Sequence, residues 1–220
     1  MGKIYVLGTS HIARESIDRI KKVYEEKKPE IIGVELDEQR LFALIHHQKT
    51  NLGLRNLARL GLTSYLFLLI GSFVQKKLGE MVGIKPGADM LYASKLALKD
   101  KKTLLLMDQD IQITLRQFSK RFSFKEKMNI AADVIKGVFL RKKFSFDLTK
   151  VPEEELVNEL LAYAKKRYPN AYNVLIDERN KVMAQKLVHA HNARPAENIL
   201  AVVGAGHKQG IIRLLKQALG

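Results

Sequence analysis

The chain has 220 residues, 46% of them apolar and 28% charged, which suits one folded domain and excludes disorder by composition. It has no cysteine, so disulfides, thiolate zinc sites and cysteine nucleophiles are excluded, and any metal must be held by His, Asp and Glu. A formal net charge of +15 fits a nucleic-acid binder, a domain on an anionic membrane, or a lysine-rich thermophilic protein.

Residues 3–7, KIYVL, form a short apolar run ending at Gly8 and predict a buried strand. No charged leader and cleavage site precede it, so a secretory signal is not expected. Ile12, Ile17, Ile20, Val23 and Tyr24 then step at helical intervals until Pro29. Residues 30–36, EIIGVEL, predict a second strand, and 38–49 a helix. From 51 to 80 the chain is apolar and helical, and its uncharged stretch 60–75, LGLTSYLFLLIGSFVQ, lies between Arg59 and Lys76. As a helix that stretch is about 24 Å long, short of the roughly 30 Å hydrocarbon core. It reads first as a buried helix or a homodimer contact through 57–78, second as a helix on a membrane surface, and last as a span.

Residues 83–89, GIKPGAD, predict a loop, followed by a helix over 89–99 and a strand over 103–107. Helices are expected over 111–121, 125–141, 153–167 and 171–191, a fourth strand over 198–203, and a last helix over 208–219. Strands separated by helices predict an α/β fold, with a central, mostly parallel sheet flanked by helices. The expected organisation is a single domain, 1–220, with a largely helical insertion at about 41–100.

Ligands of open parallel sheets bind beyond the carboxyl ends of the strands. The residues following the four predicted strands are GTSH with His11, VELD with Glu35 and Asp37, DQD with Asp108 and Asp110, and GAGH with His207. Two imidazoles and a carboxylate are enough to hold a divalent ion while leaving positions for water and substrate. Arg116 and Arg179 carry charges suited to a substrate carboxylate or a developing oxyanion. Other readings stay open. A glycine turn opening a helix also holds phosphate, Glu35 can pair with Arg40, and the DQD carboxylates can serve as helix caps. His46, His47, His189 and His191 have spacings that do not converge and are left out of the site.

The basic stretch 119–146 interleaves Lys and Arg with Phe. Phe118, Phe122, Ile130, Val134, Ile135 and Val138 are spaced as a helical core face with a solvated basic face opposite. Membrane-surface contact is the alternative, and nucleic acid ranks last.

The segments GTSH, VELDEQR, GIKPGADMLYASKLA, DQDIQITLRQ, DERNKVMAQKL and VVGAGHKQGI, in this order, resemble the TraB/PrgY family and are closest to its archaeal TraB-like members. The family includes the Tiki proteases, which cleave secreted signalling proteins, and PrgY, which lowers the activity of a peptide pheromone. The resemblance implies a mixed α/β fold and a metal-dependent peptidase centre at His11, Glu35 and His207, with Glu178, Arg179, Asp108, Asp110 and Arg116 nearby. It implies manganese or cobalt, while general ligand preference adds zinc. The expected partner is a peptide or protein substrate. The expected location is a cytoplasmic domain, membrane-associated in a longer protein. A non-catalytic peptide- or anion-binding module on the same fold is the alternative. Gln109 and Asp89 stand where relatives commonly have Arg and Glu, which bears on substrate choice.

Overall fold

Residues 199–204, ILAVVG, are buried throughout, as an unbroken apolar run at the centre of a parallel sheet requires. The computed structural model describes residues 2–9, 14–46, 87–140 and 154–220, with backbone only at 14, 131 and 134–140. His11, the stretch 60–75 and the dimer helix 57–78 lie outside these residues.

The first half contains β1 (Ile4–Thr9), α1 (Arg14–Lys27), β2 (Ile31–Val34), α2 (Glu38–Ile45), α3 (Ala88–Lys99) and β3 (Thr103–Leu106). The second contains α4 (Ile111–Arg121), α5 (Phe124–Leu140), α6 (Glu154–Arg167), α7 (Pro169–Tyr172), a π-helical turn (Asn173–Asp177), α8 (Glu178–Ala193), β4 (Ile199–Gly204) and α9 (Ala205–Leu219). All strand pairs are parallel, in the order β1-β4-β2-β3. The α/β architecture with a parallel sheet flanked by helices is therefore present. The last helix begins at Ala205 rather than at the expected 208, which puts His207 in its first turn.

Side chains alternate across β4 with period two, so each sheet face has its own core. Leu200 and Val202 join Ile32, Val34 and the α1 and α3 residues Ile20, Met90, Ala93 and Ala97 on one face. Ala201 and Val203 join the α8 and α9 residues Met183, Leu187, Ile211 and Leu215 on the other. Neighbouring strands thus send their following helices to opposite faces. In open α/β sheets ligands bind where the helices diverge in this way, which here is the carboxyl end of β4. Gly33 of β2 is needed for close approach, since a Cβ there would lie 2.5 Å from Sδ of Met107.

The expected core face over 118–138 holds at Phe118 and departs at Ile130. Phe118 is buried and stacks on Phe122 at 4.7 Å between ring centroids. Ile130 is instead 38% exposed, because α5 meets the body through a different, polar stripe. The side chains of Val134, Ile135 and Val138 are outside the described set. On that stripe Asp133 accepts hydrogen bonds from Nε and Nη2 of Arg167, at 3.1 and 2.7 Å, and from the hydroxyls of Tyr168 and Tyr163.

Hydrogen bonds from Arg167 and then Tyr168 hold the Asp133 carboxyl down to about 2. Its folded pKa lies below the ordinary aspartate range near 4. Its contribution to stability is therefore present above that range and is lost as pH falls through about 2. Asp133→Asn should lower stability at neutral pH and flatten the dependence between about pH 5 and pH 2, measured by urea unfolding across that range. Gly33→Ala should cost about 1–3 kcal/mol by overpacking Met107, read from the same unfolding curves at pH 7.

Candidate functional site

Three strand ends within the described residues deliver polar side chains to one place. Glu35 directly follows β2, Asp108 stands two residues after β3, and His207 lies in the first turn of α9 after β4. The register sets Val34 level with both Val202 and Leu106, so these groups arrive at similar heights along the sheet. All three are buried, with relative exposures of 6%, 2% and 4%.

Arg179 joins the carboxylates. Its Nη2 donates to Oε1 of Glu35 and, at 2.6 Å, to Oδ2 of Asp108. Its Nε lies 3.1 Å from both Asp108 oxygens, and its Nη1 donates to the Leu175 carbonyl at 3.2 Å. Arg40 adds a second guanidinium, pairing through Nη2 with Asp108 and through Nε with Asp37 at 2.9 Å. Burial pushes the Asp108 carboxyl up. The hydrogen bonds and charge of Arg179, with the charge of Arg40, outweigh it and hold the group below the carboxylate range. Burial acts on Arg179 in the discharging direction, and Glu35 and Asp108 overcome that to keep the guanidinium charged.

Glu35 also accepts from the backbone N–H of Gly204 at 2.7 Å through Oε2. Gly204 is the N-cap of α9, so the anion held at this helix start is the protein's own carboxylate. Its other oxygen, Oε1, lies 3.3 Å from Nε2 of His207. Nδ1 of His207 sits 2.7 Å from Oδ1 of Asn180. A neutral ring that donates from Nδ1 to this oxygen turns the Nε2 lone pair to the carboxylate, whereas a protonated ring donates to both. Two electron-rich atoms so placed are stabilised by a shared proton or by a cation. Gly210 provides the clearance, since a Cβ there would meet Nδ2 of Asn180 at 2.2 Å.

The remaining candidates part company with this cluster. Asp110 caps α4, accepting from the N–H of Gln112 at 2.7 Å, and Asp37 caps α2, accepting from the N–H of Arg40 at 2.8 Å. The two carboxylates of DQD thus divide, one to the cluster and one to capping. Glu178, next to Arg179 in sequence, turns away to pair with Arg121 and accepts from Nδ2 of Asn173 at 3.2 Å. Arg116 is exposed on α4, outside the hydrogen bonds that join Glu35, Asp108 and Arg179. Arg40 pairs with Asp37 and Asp108, and Glu35 takes Arg179 instead.

The strand-end criterion did not single out Asn180 and Lys186, because both sit on α8. Lys186 donates through Nζ to the carbonyls of Leu106 and Asp108 at 3.0 and 2.8 Å, closing the end of β3. The i, i+7 spacing puts Lys186 two turns from Arg179 on the same helix face, and nothing in the local pattern marks Asn180. Among the described residues no group of three or more His, Asp or Glu is placed to hold a metal ion.

A model of the TraB/PrgY/gumN family matches residues 2–218, and the chain belongs to that family. It is 36% identical to an uncharacterized protein of Methanocaldococcus jannaschii over 97% of this chain and 53% of that one. It is 25% identical to the human and mouse TraB domain-containing proteins, over 95% of this chain and 61% of each relative. The chain therefore spans between half and two thirds of the length of these relatives.

Asp108→Asn removes the negative charge shared by two guanidiniums and should cost about 3–5 kcal/mol of folding stability. Arg116→Ala should change it by less than about 0.5 kcal/mol. Urea midpoints of the two variants at neutral pH make the comparison.

Proposed function

We propose that this chain carries a hydrolytic centre for peptide or protein substrates, with Glu35 and His207 as two protein donors to a divalent cation and His11 as the third. The observation that carries the reading is the buried approach of His207 Nε2 to Glu35 Oε1, 3.3 Å apart, with Nδ1 anchored by Asn180. Imidazole nitrogen and carboxylate oxygen are the donors a cysteine-free hydrolytic site uses, and an amide carbonyl on the far ring nitrogen is the usual support of a metal-binding histidine. His11, which follows β1, lies outside the described residues.

A divalent ion supplies acidity to a bound water and polarises a substrate carbonyl, and manganese, cobalt and zinc are the candidates. The chain's own residues set the conditions. Gly204 N–H fixes Oε2 of Glu35, so Oε1, which accepts from Arg179, is the oxygen aimed at His207. Asn180 anchors the His207 ring through Nδ1, 2.7 Å from its Oδ1. Arg179 spends its Nε and Nη2 on Glu35 and Asp108, which makes it the holder of the two carboxylates more than a free substrate clamp. Asp108, held charged by Arg179 and Arg40, is a counter-ion in this reading. Membership of the TraB/PrgY/gumN family supports it through the peptidase relatives that the sequence motifs resemble.

Manganese at about a hundred times its dissociation constant should stabilise the wild-type chain by about 2.7 kcal/mol. The gain should vanish in His207→Ala and in Glu35→Gln, and fall in His11→Ala. Thermal unfolding with and without the metal measures it. Equal stabilisation of all four proteins would overturn the cation site, leaving a non-catalytic binding module as the function.

A further inference from the structure

Helix α5 is mounted with its polar side inward. At about 100° per residue, Glu126, Asn129 and Asp133 fall within one narrow stripe, and all three are spent on the body of the protein. Glu126 is 2% exposed and accepts from the backbone N–H groups of Asn170 and Ala171 at 2.8 and 3.1 Å. It also closes a capping box with Ser123, whose N–H donates to it at 2.9 Å. Asn129 donates to the Arg167 carbonyl at 3.1 Å, and Asp133 binds Arg167 and two tyrosines.

The opposite side of the same turns is apolar and solvent-facing. Phe124 is 77% exposed and Met128 54%. Lys125 and Lys127, both exposed, flank them at about +100° and −60° from Phe124. The two acids on the described part of α5, Glu126 and Asp133, are the ones turned inward, so the outward face carries apolar groups and positive charge.

We propose that this outward face of α5 docks on an anionic membrane surface. Phe124 and Met128 enter the headgroup boundary, while Lys125 and Lys127 lay their stems along it and meet the lipid phosphates. A second copy of the chain would set like charges against each other across the contact. Nucleic acid would satisfy the lysines and leave Met128 in water. An anionic bilayer satisfies both sets of side chains, and the net charge of +15 favours approach to it. No helix among the described residues is long and apolar enough to cross a membrane.

The test is co-sedimentation of the full chain with vesicles of phosphatidylcholine alone and of phosphatidylcholine with 30 mol% phosphatidylserine, taken as roughly the anionic fraction that attracts polybasic surfaces. Binding to the anionic vesicles only, weakened roughly tenfold or more in Phe124→Ser/Met128→Ser and in Lys125→Glu/Lys127→Glu, is the expected result. The four side chains lie outside the core, so circular dichroism and unfolding midpoints of both variants should match the wild type. Failure to bind anionic vesicles, or undiminished binding by both variants, overturns the proposal. A dimer in sedimentation velocity that Phe124→Ser/Met128→Ser dissociates, without vesicle binding, overturns it in favour of self-association. Retention on single-stranded RNA without vesicle binding overturns it in favour of nucleic acid.

Discussion

The buried guanidinium of Arg179 is the charge on which the carboxyl edge of the sheet depends. Glu35 and Asp108 leave adjacent parallel strands at the same height, and two desolvated carboxylates there repel each other and resist burial. One planar donor that reaches both, with Arg40 behind Asp108, turns that repulsion into a closed network. A lysine in place of Arg179 would offer a point charge without the fork and could not span both oxygens in the same plane. The network fixes the direction of Glu35, and through Glu35 the relation between β2, the start of α9 and His207.

Arg179 reaches that position because the chain widens just before it. The π-helical turn Asn173–Asp177 lies between the short helix α7 and α8, and Glu178 and Arg179 are the first residues after it. An extra residue in a turn shifts the phase of everything that follows by about 100°. The shift separates what neighbouring residues do. Glu178 points to Arg121 at the end of α4, Arg179 to the sheet edge, and Asn180 to His207. Three consecutive side chains thus serve the α4–α5 corner, the carboxylate pair and the imidazole, which a regular helix entered in another phase would not arrange.

The sheet was legible from the sequence because buried parallel strands read as short apolar runs, and the residue after each run marks the ligand edge. That logic brought Glu35, Asp108 and His207 to one edge together with Asp37, and it left Asp110 open between a site role and helix capping. Whether such a residue enters a site or caps the next helix depends on χ angles and on the partner's position, and neither leaves a trace in the local pattern. Asn180 and Lys186 were hidden for another reason: they sit on α8, one layer away from the edge they serve. Over 118–138 the spacing placed Phe118 correctly and Ile130 wrongly. Periodicity reports that a helix has an apolar stripe, and it is silent on whether the stripe faces the protein's own core. Ile130 was placed inside on that basis, whereas Glu126, Asn129 and Asp133 supply the inward contacts through hydrogen bonds.

An inward polar stripe is stable only if every member is satisfied, and here most of the partners, beside Ser123 and Tyr163, come from one short region of chain. Arg167, Tyr168, Asn170 and Ala171 bracket the junction between α6 and α7, directly ahead of the π-helical turn. The backbone that holds α5 from behind therefore runs straight into the turn that aims Arg179 at Glu35. Arg121, two residues before the capping box of α5, adds a second tie through Glu178. The exposed face of α5 and the buried carboxylate pair are accordingly oriented by the same stretch, residues 167–179.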